Sequence, residues 1–404
     1  MVSPTAIEEF AAAVARARSA LRADAGVLWG HDASGARWVG ALGGVWHATA
    51  DPGLDDFPRH SDLPLWSGPA PAEDIPANTG IDWAGGRWAK IWLEYEYDVR
   101  LLLHEAWHAD LQASVLPDVE AAETGIEGAD LLDRSAGRIW LRLELSALQR
   151  ALAAPDDARS DVAAALAFRR RRDAIATADE REREAAFELV EGLPEYSAWR
   201  WSGATDSEVA VHVGGPPPQS WVRAFCYRTG PAYGFLLDRY SIGWRQEASA
   251  GMQLSERLSE IVTPAVDADA TATAYGIATV RAEELQRDRD LVTRLEELRA
   301  RFIDGPVLRI PLLQRALSFN PQRDVVLPEG TVRGTVQWTA GGRTRLIADE
   351  ALLLPDWSEI RVPLDTVPGD HSELSGPGWT FVAGDGWRLE PDGQDIRVRP
   401  PAGS

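Results

Sequence analysis

From Leu101 to Asp110 the sequence runs Leu101-Leu102-Leu103-His104-Glu105-Ala106-Trp107-His108-Ala109-Asp110. Few stretches confine a chain so tightly. An apolar triplet followed by two histidines four residues apart suits a helix that starts in a core, because residues i and i+4 project from one face. Asp98 stands where an N-cap is expected. Two imidazoles one turn apart can grip a single Zn²⁺, and Glu105 then lies beside the metal's open position. The competing reading is a core helix whose two histidines merely fall at this spacing. With 7 histidines in 404 residues, such a coincidence is uncommon.

A chain of this length has room for two or three domains, or for one large domain with an appendage. No apolar run approaches membrane-spanning length. The segment Met1 to Phe10 carries acids where a signal peptide has a basic stretch followed by an apolar one. Cys226 is the only cysteine, so no disulfide framework is expected. A soluble, cytoplasmic protein is the expectation. The net charge of −21 opposes nucleic acid or an anionic membrane as partner, since either would be repelled. Lys90 is the only lysine and arginine carries nearly all the positive charge, as in proteins from GC-rich genomes.

Thr5-x-x-Glu8 is a capping box, and Ile7, Phe10, Val14 and Leu21 follow at helical spacing, which predicts a helix over 5–22. Val27 to Val39 reads as strand, turn, strand. Residues 50–80 read as a long ordered loop, with His47 and His60 as surface or capping histidines. The aromatic, partly alternating stretch 87–97 predicts a strand leading into the His104 helix. Leu141, Leu145, Leu148 and Leu152 mark a helix over 137–153, and a second begins near Ser160. The charged run Arg169 to Glu184 predicts a solvated face laced with i,i+4 pairs. Val209 to Val213, which contains His212, alternates like a short strand. Helices are expected over 251–262 and 281–303, with Leu285, Leu291, Leu295 and Leu298 on the inner side of the second. Near Gly305 the composition changes to short β runs separated by turns. Residues 306–404 are therefore expected as a small all-β domain, and 1–305 as an N-terminal α/β part to 97 followed by a mainly helical part. The fold class is α+β.

His104-Glu105-x-x-His108 is the HExxH arrangement of metallohydrolases, in which the glutamate takes a proton from a metal-activated water. A catalytic zinc wants three protein ligands and an open position. In Glu191-Gly192-Leu193-Pro194-Glu195-Tyr196 the chain resembles the gluzincin metallopeptidases, whose third ligand is a Glu on a later helix within a Glu-Gly-x-Ala-x-Tyr segment. The resemblance implies a zincin-like catalytic region with a small N-terminal sheet, an edge strand near the metal and Glu191 as the third ligand. Glu195, one turn on, takes the place of the acid that orients a ligand histidine. Glu127, 18 residues after His108, and Glu188, on the same helix as Glu191, are rival ligands.

Tyr227-Arg228-Thr229-Gly230-Pro231-Ala232 looks like the Tyr-x-Lys-Gly-Ala segment of gluzincin aminopeptidases. By that resemblance the Tyr227 hydroxyl stabilises the oxyanion; Tyr233 and Tyr240 are the alternatives. The chain has no Gly-x-Met-Glu-Asn segment, so the resemblance does not extend to holding a free α-amine. Together these motifs imply a zinc-dependent hydrolase of a peptide or related amide, with His104, His108 and Glu191 on the metal and Glu105 and Tyr227 catalytic. The departures at Asp110, Pro194 and Thr229 support a second possibility, a zincin-like binding or scaffolding protein without turnover.

Overall fold

A computed structural model describes residues 4–71, 74, 77–117, 130–154, 158–241, 243–249, 251–263, 266–313, 317–340, 344–364 and 373–401. The fold is mixed α+β, with one sheet near the N-terminal end of the sequence and another near the C-terminal end. It divides into two compact units, Met1–Ala70 with Ala77–Leu285, and Gln286–Ser404 with Pro71–Pro76. Among the described residues no helix is long and apolar enough to cross a membrane.

The first unit opens with helix α1 (Pro4–Asp24) and a sheet of five strands, β1 (Trp38–Leu42), β2 (Val45–Ala48), β3 (Trp66–Pro69), β4 (Thr79–Trp83) and β5 (Gly86–Trp92). Their order is β3-β2-β1-β5-β4, with β1 and β5 parallel and the other pairs antiparallel. β4 and β5 form a hairpin that pairs Trp83 with Gly86. Its two turn residues, Ala84 and Gly85, have φ of 48° and 69°, the left-handed geometry that tight hairpins require. The predicted strand before the turn at Asp32 does not form: residues 27–31 are turn and bend, and pairing starts at Trp38. The strand expected over 87–97 stops at Trp92 and lies inside the sheet, so β3 and β4 are the edges. The 50–80 segment contains β3 and the start of β4.

Alternation along β5 sends its side chains to two different cores. Ala89 and Ile91 join Trp38 in packing against Phe10 of α1 and against Leu102, Leu103 and Ala106 of helix α2 (Val99–Asp110). Trp38 also donates its indole N–H to the Leu102 carbonyl at 2.8 Å. On the opposite face Trp88 packs with Trp46, Trp83 and Phe57. Lys90 points the same way and is 1% exposed, its ammonium 5.9 Å from the ring centres of both Trp46 and Trp92.

The described residues in the rest of the first unit are mainly helical: α3 (Ser135–Ala153), α4 (Arg159–Asp173), α5 (Ala178–Trp201), α6 (Asp206–Val213) and α7 (Cys226–Tyr240), with shorter helical turns besides. α6 corrects the strand expected over Val209–Val213. Thr205 and Glu208 form a complete capping box, and Val209, Ala210 and Val213 bury one helical face, so the 3.6-residue period wins over a five-residue alternation.

Helix α8 (Ile277–Arg299) also departs from expectation. Leu295 and Leu298 pack inward, but Leu285 and Leu291 are 45% and 42% exposed. The buried position there belongs to Glu284, paired with Arg138 at 2.6 Å. Among the described residues of the second unit nine strands form one hydrogen-bonded network, β6 (Val307–Pro311) to β14 (Asp395–Arg399). Trp338, Leu346, Ile360, Phe381 and Val398 lie in its core.

Candidate metal centre

Helix α2 begins where the Asp98 carboxylate accepts the Leu101 N–H at 3.0 Å. Its apolar face is buried against the sheet, and His104 and His108 face Glu191 of α5, with His104 also beside the Tyr227 ring of α7. The His104 and His108 Nε2 atoms are 3.1 Å apart. α5 starts from a capping box of Thr177 and Glu180 and continues through Pro194. It brings Glu191 Oε2 to 3.3 Å from His104 Nε2 and 3.8 Å from His108 Nε2.

These three residues can hold a metal ion, with one ligand atom from each lying within 4.8 Å of the others. Ligands at about 2.0–2.1 Å from a tetrahedral Zn²⁺ would stand about 3.3–3.4 Å apart. The three separations bracket that value. The donor set of two imidazoles and one carboxylate also suits zinc and leaves a fourth position open.

Each histidine is steered through its other nitrogen. His104 Nδ1 lies 3.2 Å from Glu195 Oε2, and Glu195 Oε1 accepts the Trp199 indole N–H at 2.8 Å. His108 Nδ1 donates to Gln112 Oε1 at 2.7 Å. Such partners set the tautomer that leaves Nε2 free to bind a metal. Tyr227, at the start of α7, donates its hydroxyl to Glu191 Oε2 at 2.7 Å, and its ring stacks 5.7 Å from that of His104.

The electrostatics show a site short of positive charge. Burial works to lower the His104 pKa, yet hydrogen bonds with Glu191 and Glu195 push it up to about 10. Burial would raise Glu191, but His104 and His108 hold it well below the usual carboxylate range. Glu105 is 6% exposed; burial raises its pKa, and His108 and His104 offset part of that rise. Burial and Glu191 push the Tyr227 hydroxyl well above its ordinary value. A divalent cation at this point would supply the charge that a proton on His104 otherwise provides.

Those rival residues that are described fall elsewhere. Glu188 is buried and accepts from Arg169 Nη1 at 3.3 Å, outside the ligand group. Glu127 lies outside the described residues. Tyr233 donates to Glu144 at 2.7 Å, and Tyr240 lies under the Arg159 guanidinium. His47 is not at the surface: it is 5% exposed and bonded through Nδ1 to Ser67 Oγ at 2.8 Å. His60 Nδ1 accepts the N–H groups of Asp62 and Leu63, a capping role.

The charged run Arg169 to Glu184 is corrected in part: Arg170, Asp179, Arg181 and Glu182 are exposed and Arg169 pairs with Asp173 at i,i+4, but other charges of the run are buried. Arg169 and Arg172 are 2% and 0% exposed, and Glu184 is 3% exposed. Arg172 bridges Glu144 and Glu184, while Arg169 reaches Glu144 at 3.6 Å and Glu188 at 3.3 Å. This buried ionic cluster joins α3, α4 and α5, and its Glu188 lies one turn before Glu191. Sequence reasoning also passed over Gln112, although it stands four residues after His108, the same spacing that had marked the two histidines. Trp199 is four residues after Glu195 in the same way.

Comparison with protein-family models, with curated proteins and with solved structures found no match to this chain.

Proposed function

We propose that the protein is a zinc-dependent hydrolase that cleaves a peptide or related amide, of the gluzincin type within the zincin fold. What carries this is the meeting of His104, His108 and Glu191 from two helices, Glu191 standing 83 positions after His108, with Glu105 and the Tyr227 hydroxyl beside them. Zinc held by those three residues would supply a Lewis acid for the carbonyl and make water acidic enough to react near neutrality. Glu105 then accepts the proton of the attacking water and delivers it to the leaving nitrogen. A buried carboxylate whose pKa burial has raised is suited to that return. The Tyr227 hydroxyl, kept protonated by burial and by Glu191, turns its single proton from Glu191 to the oxygen on which negative charge develops. Glu195 and Gln112 hold the two imidazoles in place.

The test is cleavage of a mixed-peptide library by zinc-loaded protein, read by mass spectrometry beside Glu105→Gln. That variant keeps the size of the side chain and removes the base. Zinc should remain while turnover falls by about a hundredfold to ten-thousandfold. Equal cleavage by parent and variant would sink the mechanism, and no cleavage by the parent would favour a binding or scaffolding role.

A further inference from the structure

Four residues after Tyr227, inside the same helix, stands Pro231. Proline has no N–H, so the carbonyl four residues before it loses its helical donor and is crowded by the ring. That carbonyl belongs to Tyr227. Its donor comes instead from another helix: His212 Nε2 of α6 lies 2.8 Å from the Tyr227 oxygen. A carbonyl can only accept, so Nε2 carries the proton and donates.

His212 is itself fixed. Its ring packs 4.9 Å from the Trp199 ring, and Arg100 stacks 4.0 Å from the same indole. The Trp199 N–H is committed to Glu195, which contacts His104. One indole thus braces both the partner of the first candidate ligand and the side chain that holds the Tyr227 backbone.

We infer that His212 is a positioning residue for Tyr227: it replaces the donor that Pro231 removes and so sets where the Tyr227 hydroxyl meets Glu191. The catalytic value of that position rests on the hydrolase function proposed above. His212 touches no reacting atom in this scheme.

The pairing with Pro231 supplies the test. In His212→Ala the orphaned carbonyl has no donor; in His212→Ala/Pro231→Ala the new N–H of residue 231 restores it from within the helix. Protein labelled with ¹³Cζ-tyrosine gives a Tyr227 resonance, identified by its loss in Tyr227→Phe. This resonance should shift in His212→Ala and return in the double variant, with or without zinc. His212→Gln, which keeps an N–H donor, should stay near the parent. Turnover of a peptide selected from the library should fall about tenfold to a hundredfold in His212→Ala at unchanged zinc content, as expected for a displaced catalytic group, and recover in the double variant. If His212→Ala does not fold, folding of the double variant is the rescue expected, and a double variant that stays unfolded overturns the inference. So does a Tyr227 resonance unmoved in His212→Ala, or a defect that Pro231→Ala leaves untouched. Should the parent cleave no peptide, the hydrolase function fails while the resonances still decide the role of His212.

Discussion

Gly192 and Gly230 meet backbone to backbone: a β-carbon on Gly230 would lie 2.4 Å from the Gly192 Cα and 2.5 Å from its carbonyl oxygen. No rotamer change relieves a clash with backbone. The crossing is what lets Glu191, beside Gly192, come within 2.7 Å of the Tyr227 hydroxyl, one turn before Gly230. Gly230→Ala should therefore separate α5 and α7, lower stability by about 1–3 kcal/mol in denaturant unfolding, and reduce turnover more than zinc content. Gly192→Ala should be milder, because its nearest contact would be 3.0 Å. The reverse order would show that the crossing does not set the site.

Metal content distinguishes the carboxylates of α5. Glu191→Ala should lose bound zinc after gel filtration, whereas Glu188→Gln should retain about one ion per chain. Retention by Glu191→Ala would move the third ligand to another residue.

The buried ionic cluster predicts a large stability effect away from the metal. Arg172→Met leaves Glu144 and Glu184 buried without the guanidinium that bridges them. Breaking a buried pair on one side costs on the order of 3–5 kcal/mol. Urea unfolding should show a loss of that size; a loss below about 1 kcal/mol would mean that the two acids take up protons or water without strain.

His47 should weaken the fold in acid. Burial lowers its pKa from 6.5 to about 4, helped by His60. Between those values the unfolded chain binds the proton and the folded one does not, so this histidine contributes stability that is present above pH 6.5 and lost as pH falls toward about 4. His47→Gln should lose less stability than the parent on acidification across that window. Parallel curves for the two proteins would remove His47 as the cause.

How far these features could be read in advance depended on whether the signal was local. The helix of His104 and His108 and its Asp98 cap are matters of spacing within about one turn, and the structure has both. The convergence of Glu191 and Tyr227 on them is tertiary; resemblance to a known segment suggested it where no periodicity could. The run Arg169–Glu184 misled because sequence displays the charges but not their complements: Glu144, which Arg172 needs, is 28 residues away on another helix. The alternation of Val209–Val213 suggests a strand at His212, whereas the capping box of Thr205 with Glu208, which lies before that stretch, starts a helix. The true partner of His212, the Tyr227 carbonyl, is made available by a proline further along the chain.

The enclosure of Lys90 between Trp46 and Trp92 has a practical side. Every other cationic side chain with a permanent charge is an arginine, and arginine does not react with amine-directed acylating reagents under mild conditions. With its one lysine 1% exposed, the folded protein presents no accessible lysine side chain to such labels or to enzymes that modify lysine. Acylation at residue 90 would then report the opening of a single strand, β5, which leads into the helix of His104 and His108.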